Sequence, residues 1–196
     1  GLGLLTNHPF DLAYRAAEAF TAALKRRTKA AGFMKTMLLQ RICSSFASGR
    51  ATAAKMMQRE ILEDEEQTRL VEEVLSALTG EEAGYLRTIV EELSRPEARD
   101  PKIAAVRYFL TEHHTDGNNW LAHGCIVFSQ YHDTVHALAA ELATALPGEP
   151  VAIYAGAGKS GIFRDGDFAS VERENIKAAV KKREIRLLVA TDAACE

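Results

Sequence analysis

The feature that most constrains this fold is a short apolar run followed directly by a helical pattern. The run Cys125 to Phe128 lies between Gly124 and polar residues and is rich in β-branched and aromatic side chains. Such a run is typical of a strand buried on both faces. Apolar residues then recur at helical spacing over 135–146 and stop at Pro147-Gly148. The sequence therefore predicts a strand that passes through a polar turn into a helix, which is where open α/β sheets bind ligands.

Two further strands are predicted in the second half of the chain. Residues 151–154 and 185–190 are short apolar runs, and they flank a helical pattern that Ser170 can cap. Residues 156–166 are polar and glycine-rich and predict a loop. Strands that alternate with helices at these lengths predict a parallel α/β sheet with right-handed crossovers.

The first hundred residues predict a block of helices. A first helix is expected to start at Asn7 and Pro9 and to be broken by Gly32. A second is expected to run through Phe46, with Ser44 and Ser45 in its middle, where they lower helix propensity. This placement suggests a hydrogen-bonding role for the two serines, although serines that face solvent fit the pattern equally well.

A long amphipathic helix is predicted from Ala51 onward, with an apolar stripe that extends to Leu78. Thr79 and Glu82 form a capping-box pattern for the next helix. Asp100-Pro101 marks a boundary and the start of a further helix. We therefore expect two domains, a helical block over 1–99 and an α/β lobe over 100–196.

The net charge of −3 conceals a strong division along the chain. Residues 1–59 hold ten basic and two acidic side chains, whereas residues 60–100 hold four basic and thirteen acidic ones. The basic section can face phosphates, and the acidic section would repel them. Alternatively, both sections are solvated helix faces that partly neutralise each other.

Composition and cysteine content limit the class of protein. No apolar run approaches the roughly 20 residues of a membrane span. Three cysteines without paired spacing indicate reduced thiols, so we expect a cytoplasmic protein. The chain has no initiator methionine and no basic lead-in to its first apolar residues, which predicts a fragment or processed chain without a signal peptide.

A segment that resembles a phosphate-binding loop follows the strand at 151–154. The segment Gly156 to Ser160 contains Gly-Lys-Ser, but Ile153 stands where the pattern needs its first glycine. The residues after Lys159 also do not predict the helix whose amide groups would face a phosphate. We therefore expect a flexible loop in which Lys159 can touch a phosphate, rather than a nucleotide cradle.

No complete catalytic apparatus is evident in the sequence. His132 and His136 have the spacing of two metal ligands on a helix but lack a third ligand at a recognisable spacing. Cys125 lies within the predicted strand, where a thiol behaves as a small apolar group. The remaining candidates are the polar strand ends Ser129-Gln130 and Thr191-Asp192, which a parallel sheet would bring to one edge.

These strand ends also carry a resemblance to a known family. Asp100-Pro101-Lys102, Ile-Val-Phe-Ser-Gln-Tyr at 126–131, Tyr154-Ala155-Gly156, Glu172-Arg173 and Leu-Leu-Val-Ala-Thr-Asp-Ala-Ala-Cys-Glu at 187–196 follow one another as in Swi/Snf-type ATPases of helicase superfamily two. The chain resembles the opening of the second RecA-like, helicase C-terminal lobe, of bacterial type. A weaker match at 38–45 is similar to a segment that precedes this lobe.

The resemblance implies an ATP-driven motor that translocates along duplex DNA and remodels bound proteins. It implies that Ser129, Gln130, Thr191 and Asp192 contact the phosphate backbone and couple it to the nucleotide. Gly156 and Arg173 match intervening positions, for which the resemblance implies positioning of the backbone. Contacts of this kind would hold DNA without selecting sequence.

The resemblance also implies what this chain lacks. The phosphate-binding loop and the acidic Mg²⁺ motif of the family belong to the first RecA-like lobe, and an arginine that stabilises the transferred phosphate follows later. We therefore expect ATP and Mg²⁺ to act in the intact protein, and this fragment to be inactive alone. The alternatives are an RNA-directed helicase of the same superfamily and a non-catalytic helical interaction module.

Overall fold

The computed structural model describes residues 8–60, 68–156 and 158–191. The described residues form two compact units, one up to Pro101 and one from Lys102 onward. Helices α1 to α5 make up the first unit: α1 His8–Lys25, α2 Ala31–Ser44, α3 Phe46–Gln58, α4 Thr68–Ser76 and α5 Gly80–Glu92. Together with the strands of the second unit they give a mixed helix and sheet protein, which confirms the α/β class.

The helical unit has one apolar core. Its largest fully buried side chains come from four of the five helices and include Phe20, Leu24, Met34, Leu38, Ile42, Met56, Leu86 and Ile89. The close approach of α2 and α3 depends on Gly49, where an added Cβ would lie 2.8 Å from the Cα of Ile42. That distance is shorter than a carbon–carbon contact allows, so the two helices can pack here only over a glycine.

Three predicted boundaries in the helical unit are wrong. Helix α1 ends at Lys25, and Gly32 lies in the first turn of α2 instead of breaking α1. The two serines are not in midhelix, because Ser45 is extended and its hydroxyl accepts a hydrogen bond from the amide of Ser48 as the N-cap of α3. The long helix predicted from Ala51 ends at Gln58, since Arg59 adopts the left-handed conformation.

Two other predictions about this unit have different outcomes. The capping box between Thr79 and Glu82 is confirmed in both directions at the start of α5. The start predicted at Asn7 and the stripe at 61–67 lie outside the described residues. The carboxylate of Asp100, at the predicted boundary, accepts a hydrogen bond of 2.9 Å from the amide of Phe46, the first residue of α3.

The second unit is a five-stranded sheet with helices on both faces. Its elements are α6 Pro101–Thr111, β1 His114–Thr115, β2 Asn118–Asn119, α7 Trp120–His123, β3 Cys125–Phe128, α8 His132–Ala145, β4 Val151–Tyr154, β5 Gly161–Arg164, β6 Asp167–Ser170, α9 Arg173–Lys181 and β7 Leu187–Ala190. The strand order is β3-β7-β4-β5-β6, with β3, β7 and β4 parallel as predicted. β1 and β2 form a separate small hairpin.

The sheet differs from the prediction beyond β4. The predicted loop at 156–166 contains β5, which pairs antiparallel with β4 and β6, so the sheet is mixed rather than purely parallel. Asp165 and Gly166 both have positive φ and make the tight turn between β5 and β6. The prediction that Ser170 caps the following helix is wrong, because Ser170 is the last residue of β6. Helix α9 begins at Arg173, with Glu172 at its N-cap.

The strand β3 is not buried on both faces as the sequence predicts. Its side chains alternate between partly buried and exposed positions, and the exposed ones, Ile126 and Phe128, are 52% and 55% accessible. Cys125 and Val127 face the core that α6 and α8 form with the sheet. β3 is an edge strand, and its second face lies next to α9, which packs through Ile176 over β4 and β7.

Candidate nucleic-acid interface

The carboxyl ends of the three parallel strands are in register. Phe128 of β3, Ala190 of β7 and Tyr154 of β4 are aligned as Cα partners. The pairing extends one residue beyond the strands, since the amide of Ser129 donates to the Ala190 carbonyl at 3.0 Å and that of Thr191 donates to the Tyr154 carbonyl at 3.1 Å. Ser129 and Thr191 therefore lie on adjacent strand ends, as the sequence predicts.

The predicted residues at this edge differ in their access to a ligand. Gln130 is exposed, Ser129 is half-buried and Thr191 is buried at 8% accessibility. Asp192 lies outside the described residues. Gln130 and Ser129 can thus meet a ligand with their side chains, whereas the buried position of Thr191 favours a role in fixing the strand end.

Helix α8 starts at the same edge. It begins at His132, two residues after Gln130, and Tyr131 at its N-cap makes no side-chain cap hydrogen bond. The first turn of a helix presents backbone amide groups and the positive end of the helix dipole. The edge thus combines the strand-end side chains with a local positive potential that suits a phosphate.

The turn after β4 contains the predicted residues Gly156 and Lys159. The hydroxyl of Ser160 donates to the carbonyl of Ala155 at 2.7 Å and lies 2.9 Å from the amide of Ala155, which donates to it. The amide of Lys159 donates to the carbonyl of Gly156 at 3.1 Å. These bonds close the segment into a compact turn that leads into β5, so no helix begins at Lys159.

His132 links this turn to helix α8. Burial lowers the pKa of His132, and a hydrogen bond to the backbone of Lys159 acts in the opposite direction. The ring of His132 lies 6.1 Å from that of His136, which packs edge-on against Phe163 and Phe168. Both histidines therefore make ring contacts within the second unit.

Arg173 reaches the carboxyl edge from α9. Its guanidinium carbon lies 4.7 Å from the centre of the Tyr154 ring, a cation–π contact at the last residue of β4. Burial raises the pKa of the Tyr154 phenol, but hydrogen bonds from Arg173 and Lys177 outweigh it and lower that pKa overall. The positioning role that the resemblance implies for Arg173 stays a prediction.

Lys177 was missed by the sequence interpretation. It is exposed, lies one helical turn after Arg173, and pairs with Glu174 at 2.9 Å while hydrogen-bonding to Tyr154. The four-residue spacing from Arg173 was the available signal, since residues at i and i+4 share a helix face. Arg173 and Lys177 together give the α9 side of this edge a positive charge.

Cys125 and the histidines are the other candidate chemical groups of the second unit. Burial raises the pKa of the Cys125 thiol, which is the opposite of what a nucleophilic cysteine needs. Within residues 8–60, 68–156 and 158–191, no three histidine, cysteine or acidic side chains come together as a metal site.

The basic section of the helical unit is partly neutralised by the acidic one. Arg26 pairs with Glu81 at 3.0 Å, and Arg27 pairs with Glu82 at 2.7 Å. Arg27 also donates to the carbonyl of Val74. For these two arginines the structure favours mutual neutralisation over the alternative of a surface that faces phosphates.

Comparisons with known proteins give no relative. The chain matches no protein-family model, and neither the curated proteins nor the solved structures include a match. Among the described helices, none has the length and apolar character needed to cross a membrane.

Proposed function

We propose that this chain is part of an ATP-dependent translocase of the Swi/Snf type and forms the opening of its second RecA-like lobe. In this proposal the carboxyl edge of β3, β7 and β4 holds the phosphate backbone of duplex DNA without selecting sequence. The observation that carries the proposal is the register of the three strand ends, which sets Ser129 beside Thr191 where α8 begins. The order of the sequence motifs along the chain supports the same assignment.

Each part of the edge has a distinct task in this proposal. Ser129 and Gln130 donate hydrogen bonds to phosphate oxygens, and Lys159 supplies a positive charge from the turn after β4. Arg173 holds that side of the edge in place through its contact with Tyr154. Contacts to phosphate fix register and orientation on a duplex but do not distinguish bases.

The described residues do not fit an ATP and Mg²⁺ site. The hydroxyl of Ser160 bonds back to Ala155 after β4, and strand β5 rather than a helix follows Ser160. No described cluster of acidic residues could hold a cation. In this proposal ATP and Mg²⁺ bind to the first RecA-like lobe of the intact protein, as the resemblance implies, and we expect this chain alone not to hydrolyse ATP.

Duplex binding tests the proposal directly. Fluorescence anisotropy with a labelled duplex of about 25 base pairs is expected to show weak binding that falls as salt rises, by roughly one power of salt for each phosphate contacted. Lys159→Ala is expected to weaken DNA binding. It should also reduce by about one the steepness with which the logarithm of the binding constant falls against the logarithm of salt concentration. Lys182→Ala, which removes an exposed cation at the far end of α9, is the matched control and is expected to leave both unchanged.

Four outcomes would contradict parts of the proposal. The assignment of DNA binding to the carboxyl edge of the sheet would be contradicted if the chain showed no salt-dependent binding. It would also be contradicted if Lys159→Ala and Lys182→Ala lost the same amount of DNA affinity. Tighter binding of an RNA duplex than of DNA of the same sequence would favour the RNA-directed helicase. Hydrolysis of ATP by this chain alone, stimulated by duplex DNA, would overturn the statement that the chain is inactive by itself.

A further inference from the structure

The sheet of the second unit is covered unequally on its two faces. Helices α6 and α8 pack on one face, where Ile103, Leu110 and Val135 are buried against the strands. On the opposite face α9 covers β4 and β7 through Ile176. Ile126 and Phe128 of β3 emerge on this second face and are more than half exposed.

Ile126 lines a groove beside α9, whereas Phe128 lies outside that groove, at the carboxyl end of β3. The groove has a volume of about 270 Å³. Its apolar lining includes Ile126 of β3, Leu188 of β7, Val180 of α9 and Ile185, which precedes β7. Leu188 is the register partner of Ile126 on the neighbouring strand, so the apolar surface is continuous across the two strands.

The rim of the groove carries positive charge. Arg183, Arg186 and His123 line it, and Lys181 and Lys182 lie just before Arg183 at the end of α9. Arg186 is paired with Glu149 at 2.6 Å, whereas Arg183 is exposed at the mouth of the groove. Since Glu149 neutralises Arg186, Arg183 supplies the excess positive charge among the residues that line the groove.

The dimensions of the uncovered surface match one helix. Strands lie about 4.8 Å apart and a helix is about 10 Å wide, so one helix covers roughly two strands. Helix α9 covers β4 and part of β7, which leaves β3 and the adjoining side of β7. Aliphatic floor residues such as Ile126 and Leu188 suit the leucine and isoleucine side chains of an amphipathic helix, and the rim suits acidic groups on its flanks.

We propose that this groove binds an amphipathic helix of a partner protein, with its apolar stripe on Ile126 and Leu188 and its acidic flank against Arg183. The proposal does not depend on the DNA-binding function, because the groove lies near the amino ends of β3 and β7 and not at their carboxyl ends. Charge complementarity is what selects an acidic helix over a basic one of the same apolar pattern.

Two designed peptides of about 18 residues, roughly five helical turns, provide the probe. Both carry leucine at the same i, i+3, i+4 and i+7 positions; one has glutamate at the flanking positions and the other has lysine. Anisotropy with the labelled peptides is expected to show that the glutamate peptide binds at least about tenfold more tightly at low salt. Arg183→Glu is expected to reduce this preference, while Lys25→Glu in the helical unit leaves it unchanged.

Substitutions of exposed apolar residues provide a second test and its control. Ile126→Ser is expected to weaken binding of the glutamate peptide strongly, and since this side chain is exposed, circular dichroism is expected to show that the fold persists. Phe168→Ser changes a side chain of similar exposure, 41%, on the far edge strand β6 and is expected to have no effect.

The proposal is overturned if neither peptide binds, if both bind equally, or if Phe168→Ser weakens binding as much as Ile126→Ser. Sedimentation of the chain without peptide tests the competing occupant. Dimers that Ile126→Ser abolishes would assign the groove to a second copy of this chain and would also overturn the proposal.

Discussion

The pair formed by Arg27 and Glu82 in the helical unit contrasts with that of Lys177 and Glu174 in the sheet unit. The two distances are similar, 2.7 Å and 2.9 Å, but the Glu82 side chain is 2% accessible and that of Glu174 is 80% accessible. Glu82 also caps α5 through Thr79, whereas Lys177 also contacts Tyr154 at the candidate DNA edge. The distance between two charges therefore does not decide their effect; burial and additional partners do.

Burial changes what removal of one partner does. A buried carboxylate that loses its cation stays desolvated, whereas an exposed one recovers its water. We therefore expect the helical unit to depend on its ion pair for stability. The exposed pair is expected to leave stability unchanged and to affect the chemistry of its neighbours instead.

The largest effect is expected from Arg27→Ala. This change leaves Glu82 buried without its cation and removes a hydrogen bond to Val74, so the free energy of unfolding of the helical unit should fall by about 3 kcal/mol. Urea unfolding followed by far-ultraviolet circular dichroism measures it. Arg26→Ala, which breaks the exposed pair with Glu81, is the matched control and should cost less than about 0.5 kcal/mol. Equal losses would show that burial is not the deciding factor.

A somewhat smaller effect is expected from Gly49→Ala. The added methyl group would meet the backbone of Ile42 at 2.8 Å, so α2 and α3 must separate, at a cost of about 2 kcal/mol. Gly84→Ala in α5 has no atom within 4 Å of the new methyl group and should stabilise by about 0.5 kcal/mol. The midpoint temperature of thermal unfolding should thus fall for Gly49→Ala and rise for Gly84→Ala. Shifts in the same direction would argue against the close packing of α2 and α3 at Gly49.

The pH dependence of the free energy of unfolding should report on Glu82. The hydrogen bond from Arg27 lowers the pKa of Glu82 below its ordinary value of 4.5, while burial acts against it. Stability from Glu82 is therefore present above its ordinary pKa and is lost as pH falls through the lowered folded-state pKa. Urea titrations at decreasing pH should show this loss in the native chain, and Glu82→Gln should flatten it. If stability falls with pH as steeply in Glu82→Gln as in the native chain, Glu82 is not the group responsible for the loss.

The smallest effect is expected from Lys177→Ala. Stability should not change measurably, because the pair with Glu174 is exposed. The pKa of the Tyr154 phenol should rise, since one of the two groups that lower it is removed. Ultraviolet titration of phenolate formation, with Tyr154→Phe subtracted to isolate this tyrosine, measures the shift. A fall in that pKa would show that Lys177 does not stabilise the phenolate.

Local rules account for what the sequence predicted well. The capping box of Thr79 and Glu82 depends on two residues three positions apart, and the strand and helix at 125–145 follow from apolar spacing over one element. The Asp-Gly pair at 165–166 was also a local hairpin signal, but the many glycines around it favoured a loop. The role of Ser45 was misjudged because capping and midhelix serines look alike without a known boundary.

Other features depend on partners far away in the sequence. The exposure of Ile126 and Phe128 cannot be deduced from an apolar run, because burial depends on which helices cover the sheet. The cation–π contact between Arg173 and Tyr154 likewise joins two elements that only the strand order brings together. The edge formed by Ser129 and Thr191 was predictable only because parallel strands share one direction.

The hydrogen bond from the amide of Phe46 to Asp100 has a mechanical consequence. Asp100 immediately precedes the proline that opens α6, so the chain leaving the helical unit is fastened back to the first residue of α3. A pulling force on the chain after Pro101 would load this bond before it could unravel the residues that follow α5. We therefore expect Asp100 to delay unfolding at the end of the helical unit when the chain after Pro101 is pulled.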